Sequence, residues 1–220
     1  MNAILIDTSA TVCSAALVEN DKIIKHFRTD EGMRHAVDLP QFIEQAMAIV
    51  RDRNITLDVV AVSSGPGSYT GLRIGVSTAK GLCYATGARL IAVSTLRLMA
   101  LELISKGSLA DGAGVMPMID ARRMEVYTQR FSSLGVPTSE PEAKILDEGS
   151  FADITTPLVL CGNGAAKCAA LINNNVTIVP DIVALANDNM LLLATEAFDA
   201  QRFEDVAYYE PFYLKEFYTN

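Results

Sequence analysis

Apolar residues recur along the chain with a spacing that switches between strand and helix. Residues 3–7 form an apolar run closed by Asp7, and residues 13–18 form another, with Thr8, Ser9, Ala10 and Thr11 between them. Two strand-length runs joined by so short a connection predict a hairpin. Residues 22–29 supply a third strand after the turn Glu19-Asn20-Asp21. The period then lengthens: Leu39, Phe42, Ile43, Ala46, Met47 and Val50 share one helical face. Asp38 is the expected cap of that helix and Pro40 a first-turn residue. Residues 58–63 are continuously apolar after Asp58, as in a parallel strand covered on both faces. The turn 64–70 opens a helix from about 71 to 86, with Gly87 as its stop. A strand at 90–93 and a helix from about 95 to 106 complete this half.

The pattern then restarts. Residues 115–120 end in Ile-Asp as residues 3–7 did, Ala121-Arg122-Arg123 forms a short polar turn, and 125–131 is the returning strand. A strand at 158–161 runs into Gly162-Asn163-Gly164 and a small-residue helix at 165–172. A strand at 176–179 and a helix from about 183 to 200 follow. The repeated opening predicts a duplicated α/β fold, with lobes 1–106 and 107–220 divided within the stretch 106–114.

Charge and composition narrow the function classes. No apolar run is long enough to cross a membrane, and residues 1–7 lack a basic leader, so a cytoplasmic protein is expected. The four cysteines are scattered without a CxxC pair, as small core residues would be. A net charge of −8 opposes binding of nucleic acid by this chain alone, so such contact is expected through a basic partner.

Several stretches bear on chemistry. Gly65-Pro66-Gly67-Ser68-Tyr69-Thr70-Gly71 joins a strand to a helix. Its spacing is GxGxxxG rather than GxGxxG, no Gly-Lys-Ser/Thr closes it, and it is not GxSxG. It reads equally as a tight turn capped by Ser68 or Thr70. Gly71, Gly75 and Ala79 form a bare stripe, suited either to close packing on the protein's own body or to a subunit interface. Asp7 and Asp120 end the two opening strands. They either face a cleft and hold Mg²⁺ through water, or order their own turns. With only His26 and His35, a zinc site of the HExxH or three-histidine type is excluded, and His35 is expected in a surface or turn position. Tyr208, Tyr209, Phe212 and Tyr213 suggest an aromatic clasp holding the tail.

Ile6-Asp7-Thr8-Ser9, the stretch 63–75 and Ala79-Lys80-Gly81-Leu82 together resemble the TsaB (YeaZ) family. The resemblance is specific over residues 3–100 and thins afterwards, where 119–123 and 125–127 still match. It implies a duplicated actin/Hsp70/sugar-kinase-like (ribonuclease H-like) two-lobed fold. It also implies kinship with TsaD, which transfers a threonylcarbamoyl group to N6 of the adenosine beside the tRNA anticodon. TsaD-type proteins carry a His-xxx-His metal pair where this chain has Thr95 and Met99, and a hydroxyl and a thioether cannot replace two imidazoles. The second-lobe glycine turn is reduced to Gly162-Asn163-Gly164. The resemblance thus implies a non-catalytic subunit that docks on a TsaD-like transferase, acts with a TsaE-like ATPase, homodimerises when alone and meets tRNA only indirectly. Interface candidates are Phe42, Met47, Gly71, Ile74, Gly75, Thr78, Ala79 and Leu82. No cofactor is expected in the isolated chain, with ATP or ADP and Mg²⁺ reserved for the complex. The competing expectation is a nucleotide-hydrolysing or peptidase-like enzyme using the interlobe cleft, with Asp7, Thr8, Ser68 and Asp120 as its residues.

Overall fold

The computed structural model describes every residue except 33, 108, 111 and 216–220. The predicted boundary stretch 106–114 contains two of these, so residues 108 and 111 of it lie outside the described residues.

The first sheet is built from β1 (Ala3–Asp7), β2 (Cys13–Glu19), β3 (Lys22–Thr29), β4 (Val59–Gly65) and β5 (Arg89–Ser94), in the order β3-β2-β1-β4-β5. β1 and β2 pair antiparallel from Ala3 opposite Val18 to Asp7 opposite Ser14, and β1 runs parallel to β4. The second sheet contains β6 (Gly114–Asp120), β7 (Glu125–Thr128), β8 (Glu142–Ile145), β9 (Leu158–Cys161) and β10 (Val176–Val179). Its order is β10-β9-β6-β7-β8. Counted from its own opening strand, this is the same arrangement. The central strand carries an antiparallel meander on one side and a parallel pair on the other. The duplication is therefore one of strand order and direction, and the fold is a duplicated α/β type.

Helices α1 (His35–Asp52) and α2 (Tyr69–Thr86) cover one face of the first sheet. Leu39, Ile43, Ala46 and Val50 of α1 and Val76, Ala79 and Cys83 of α2 pack with Ile4, Ile6, Leu17, Val60 and Val62. Burial of each large aliphatic side chain contributes roughly 1.5–3 kcal/mol. α3 (Thr95–Ser105) follows β5 directly, and α4 (Asp188–Asp199) comes late in the chain. The chain divides into Met1–Thr95 with Ala184–Phe212, and Leu96–Val183 with the residues from Tyr213 onward. This differs from a single cut at 106. α4 belongs with the first unit because it packs on β5, where Glu204 N also donates to Leu90 O at 2.9 Å.

Other differences have local causes. α1 begins at His35 rather than 39, and its N-cap Arg34 makes no side-chain cap bond. Asp38 is consequently a buried first-turn residue paired with Arg34 at 3.2 Å, not a cap, and Pro40 lies inside the helix. His35 is buried as well, contrary to its expected surface position. The helix expected at 165–172 is a single 3₁₀ turn, Ala165–Cys168, whose two buried residues stand three apart, the spacing that such a turn aligns. α4 starts at 188 instead of 183 because the Asn187 side chain accepts from the N–H groups of Asn189 and Met190. Of the predicted aromatic clasp, Tyr209 packs half-buried on the first unit's core, and the rest of the attachment described is a backbone strap. Lys80 Nζ donates to the carbonyls of Ala207 (3.1 Å) and Tyr209 (3.0 Å), Phe212 N donates to Ser64 O at 2.8 Å, and Tyr208 is 85% exposed.

All four cysteines are free and buried. Burial pushes the thiols of Cys13 and Cys161 up to about 12 and those of Cys83 and Cys168 up to about 11. Among the described residues no helix is long and apolar enough to cross a membrane.

Candidate functional site

In the first unit, β1 ends in a carboxylate that is fully buried. Asp7 Oδ1 accepts from Ser9 Oγ at 2.7 Å and from Ser9 N at 3.4 Å, which is how an aspartate orders its own turn. Burial raises its pKa, against the opposing pull of Ser63, of Ser9 and of the charge of His35. Its other oxygen, Oδ2, has no hydrogen-bond partner among the described residues. A carboxylate that is enclosed and disposed to keep its proton is a poor ligand for hydrated Mg²⁺.

The glycine-rich turn closes down on that same segment. Thr8 Oγ1 donates to Gly71 O at 2.7 Å, and Ser68 N donates to Ser9 O at 2.7 Å. A Cβ on Gly67 would lie 2.4 Å from Ser9 O, one on Gly71 2.1 Å from Thr8 O, and one on Gly75 2.3 Å from Thr8 Oγ1. Real Cβ atoms do not approach so closely, so these glycines let the helix seat on the Asp turn. Ser68 is the N-cap of α2, accepting from Gly71 N at 3.2 Å. Gly65 N donates to Thr95 Oγ1 at 3.1 Å and Leu72 N to Ser68 O at 2.8 Å. A phosphate-cradling loop leaves its N–H groups open to the ligand, whereas those of Gly65, Ser68, Gly71 and Leu72 are engaged internally.

The second unit repeats the device with different partners. Asp120 Oδ1 accepts from Lys167 Nζ at 2.6 Å and from Arg122 N at 2.6 Å, while Asn163 Oδ1 accepts from Asp120 N at 3.0 Å. Partial burial raises the Asp120 pKa, but the bonds to Lys167 and Arg122 outweigh it and hold the carboxyl below its ordinary value. Gly164 sits so close to this turn that a Cβ would meet Val126 Cγ1 at 2.9 Å and Ile119 C at 3.0 Å. The carboxylate already has its countercharge. Asp7, Thr8 and Ser68 thus form one packed turn, and Asp120 belongs to another in the second unit.

The interface candidates separate into two groups. Gly71, Gly75 and Ala79 are buried against the unit's own turn and core, which is a correction to their reading as a docking stripe. Thr8 occupies the groove they leave. Phe42 and Met47 on α1 and Ile74, Thr78 and Leu82 on α2 are half-buried and so keep an outward edge. Gly81, one turn beyond Thr78, would place a Cβ in open space.

Among the described residues no group of three His, Cys, Asp or Glu side chains could hold a metal ion. Thr95 is engaged with Gly65, and Met99 is buried with its Cε in the place a Cβ on Gly162 would need. Neither Asp turn fits a Mg²⁺–nucleotide, on the donor sets just described. Lys167, the residue that neutralises Asp120, was missed in the sequence. Its one signal there is its place three residues after the Gly162-Asn163-Gly164 turn.

A family model described as "TsaD: tRNA N6-adenosine threonylcarbamoyltransferase" matches residues 29–208. The chain is 34% identical over 128 residues to the tRNA threonylcarbamoyladenosine biosynthesis protein TsaB of Bacillus subtilis, covering 58% of this chain and 54% of that protein. It is 26% identical over 223 residues to the protein of the same description from Escherichia coli, covering 98% of this chain and 95% of that one. It thus spans about half the length of the first relative and nearly all of the second. YeaZ from Pseudomonas aeruginosa has the same fold, with a TM-score of 0.81, 22% identity, and coverage of 97% of this chain and 99% of that one.

Proposed function

We propose that this chain, which belongs to the TsaD-type family as one of its TsaB (YeaZ) members, is a non-catalytic subunit of the machinery forming N6-threonylcarbamoyladenosine in tRNA. One observation carries the reading: in both units the Asp turn placed for phosphate or metal chemistry is either enclosed or neutralised by the chain's own groups. Asp7 is enclosed with Ser9, and Asp120 is neutralised by Lys167. Thr95, in the position expected for a metal-binding imidazole, is used to hold Gly65. What such a chain can supply is surface.

The surface is the outer edge of α1 and α2, with Phe42, Met47, Ile74 and Leu82 as its apolar content and Thr78 set among them. Docked on a TsaD-like transferase, it orders that enzyme's site and helps form the place where a TsaE-like ATPase acts. Alone, the chain pairs with a second copy through the same face. ATP or ADP with Mg²⁺ belongs to the assembly and is held there chiefly by partner residues.

Gly81→Trp tests the docking face. The substituted side chain projects into open space, so folding is preserved, yet it stands on the same helical face as Ile74 and Thr78. The expected result is an unchanged melting temperature with at least tenfold weaker pairing to the transferase. Undiminished pairing refutes the face. Calorimetry of the isolated chain with ATP and Mg²⁺ tests the non-catalytic reading: tight binding with turnover refutes it.

A further inference from the structure

The two Asp turns differ in what they offer to solvent. In the first unit, Thr8 and Ser9 are buried beneath α2. In the second, the β6–β7 connection ends in an exposed tip formed by Arg122, Arg123 and Met124. Arg122 and Arg123 both have positive φ, 68° and 47°. Hairpins fill two such consecutive positions with Asn-Gly or Gly, because L side chains disfavour that region. Two arginines here mean that the side chains are kept despite the backbone.

The charges around the tip are arranged to leave those guanidiniums free. The two flanking carboxylates each have a lysine: Asp120 has Lys167 at 2.6 Å and Glu125 has Lys215 at 2.5 Å. Arg122 and Arg123 form no ion pair among the described residues. Two positive charges therefore stand uncompensated on a chain whose net charge is −8. They also lie at the carboxyl end of β6, parallel to β9, and ligands of α/β sheets gather beyond the carboxyl ends of parallel strands.

The backbone offers little to a compact polyphosphate. Arg122 N donates to Asp120 Oδ1 (2.6 Å), Ala121 N to Glu125 O (3.1 Å), Glu125 N to Arg122 O (3.2 Å) and Gly164 N to Met118 O (3.0 Å). Most of the N–H groups around the tip are thus used within the hairpin, so recognition falls chiefly to the side chains. A protein partner is also poorly matched. Met124, 47% exposed, and Ile145, 71% exposed opposite Glu125, are the large apolar side chains at and beside the tip, whereas protein interfaces centre on larger clusters of apolar anchors. Paired guanidiniums on a protruding tip suit successive phosphates of an extended polyanion.

We propose that Arg122 and Arg123 contact two backbone phosphates of tRNA within the assembled complex. This rests on the proposed function above, and it gives an acidic chain a small direct share in a contact that its partners dominate.

The test uses the purified assembly of this chain with its transferase partner and an unmodified tRNA transcript, with affinity measured between 50 and 200 mM salt. Each phosphate contact contributes about 0.9 to the slope of log affinity against log salt. The double variant Arg122→Asn/Arg123→Gly, which places favoured residues at positive φ, is expected to lower that slope by about 2. It should weaken tRNA binding roughly tenfold at low salt, with melting temperature and transferase pairing undiminished. Arg122→Lys/Arg123→Lys should restore the slope. An unchanged slope in an assembly that still forms overturns the inference alone, and so does lost transferase pairing, which would assign the tip to partner carboxylates. Failure of the wild-type chain to pair at all overturns the proposed function and the inference with it.

Discussion

Adding a single methyl group at Gly75 examines how α2 is seated. An alanine Cβ there would stand 2.3 Å from Thr8 Oγ1, an atom of a fully buried side chain that donates to Gly71 O. Helix propensity favours the change by about 1 kcal/mol. Against it stand overpacking of about 1–3 kcal/mol and a strained hydrogen bond of about 1 kcal/mol. The net expectation is destabilisation by about 1–3 kcal/mol, or a fall of roughly 2–12 °C in melting temperature at this chain length. The next atoms around that Cβ, Thr8 Cβ and Val62 Cγ2, are both at 3.5 Å, an ordinary contact. Removing the hydroxyl should therefore remove the penalty. In a Thr8→Ala background, Gly75→Ala should become neutral or stabilising, a coupling of about 1–3 kcal/mol. Gly81→Ala, whose Cβ meets nothing within 4 Å, should stabilise by about 0.5–1 kcal/mol. Urea unfolding of the set, with slopes compared to verify a common reference state, measures all three. If Gly75→Ala is as stable as Gly81→Ala, or if Thr8→Ala fails to rescue it, the seating of α2 on the Asp turn is wrong.

Two further outcomes follow from the carboxylates and thiols. Asp7 has a raised folded pKa, so above the unfolded carboxylate range near 4 the folded state holds the extra proton and stability falls as pH rises toward the folded value. Asp120 has a lowered folded pKa, so its contribution is present above that range and is lost as pH falls. Asp7→Asn should accordingly gain on wild type as pH rises, and Asp120→Asn should lose by less than about 1 kcal/mol, its group being partly exposed. Same-signed pH profiles for the two variants would contradict these environments. The four buried cysteines should resist a thiol reagent at pH 8 in the native chain and all react in urea, and one fast native thiol would contradict their burial.

Much of the fold was legible because most strand runs are bounded by turn residues and hold several apolar positions. β1, β3, β9 and β10 fall where the pattern puts them, and Gly87, at φ 77°, ends α2 as expected. β8 escaped notice because it is only four residues long and its side chains are exposed or half-buried, too short an alternation to stand out. The start of α1 was hidden because His35 and Asp38, polar by type, are buried at its first turn. The Gly71, Gly75 and Ala79 stripe was visible as a motif, but which surface it faces depends on Thr8, distant in sequence. The same limit applies to Asp120, since a salt bridge across 47 positions leaves no local trace.

The late return of α4 to β5 has a bearing on biosynthesis. A ribosome releases Thr95 about 90 residues before Ala184, so at roughly 5–20 residues per second the nascent first unit waits on the order of 5–20 seconds for its last helix. During that interval β5, one of the sheet's two edge strands, has neither α4 against it nor Glu204 bonded to Leu90. Premature termination before 188 would leave that edge permanently bare, and such products should be cleared or aggregate rather than persist as stable halves.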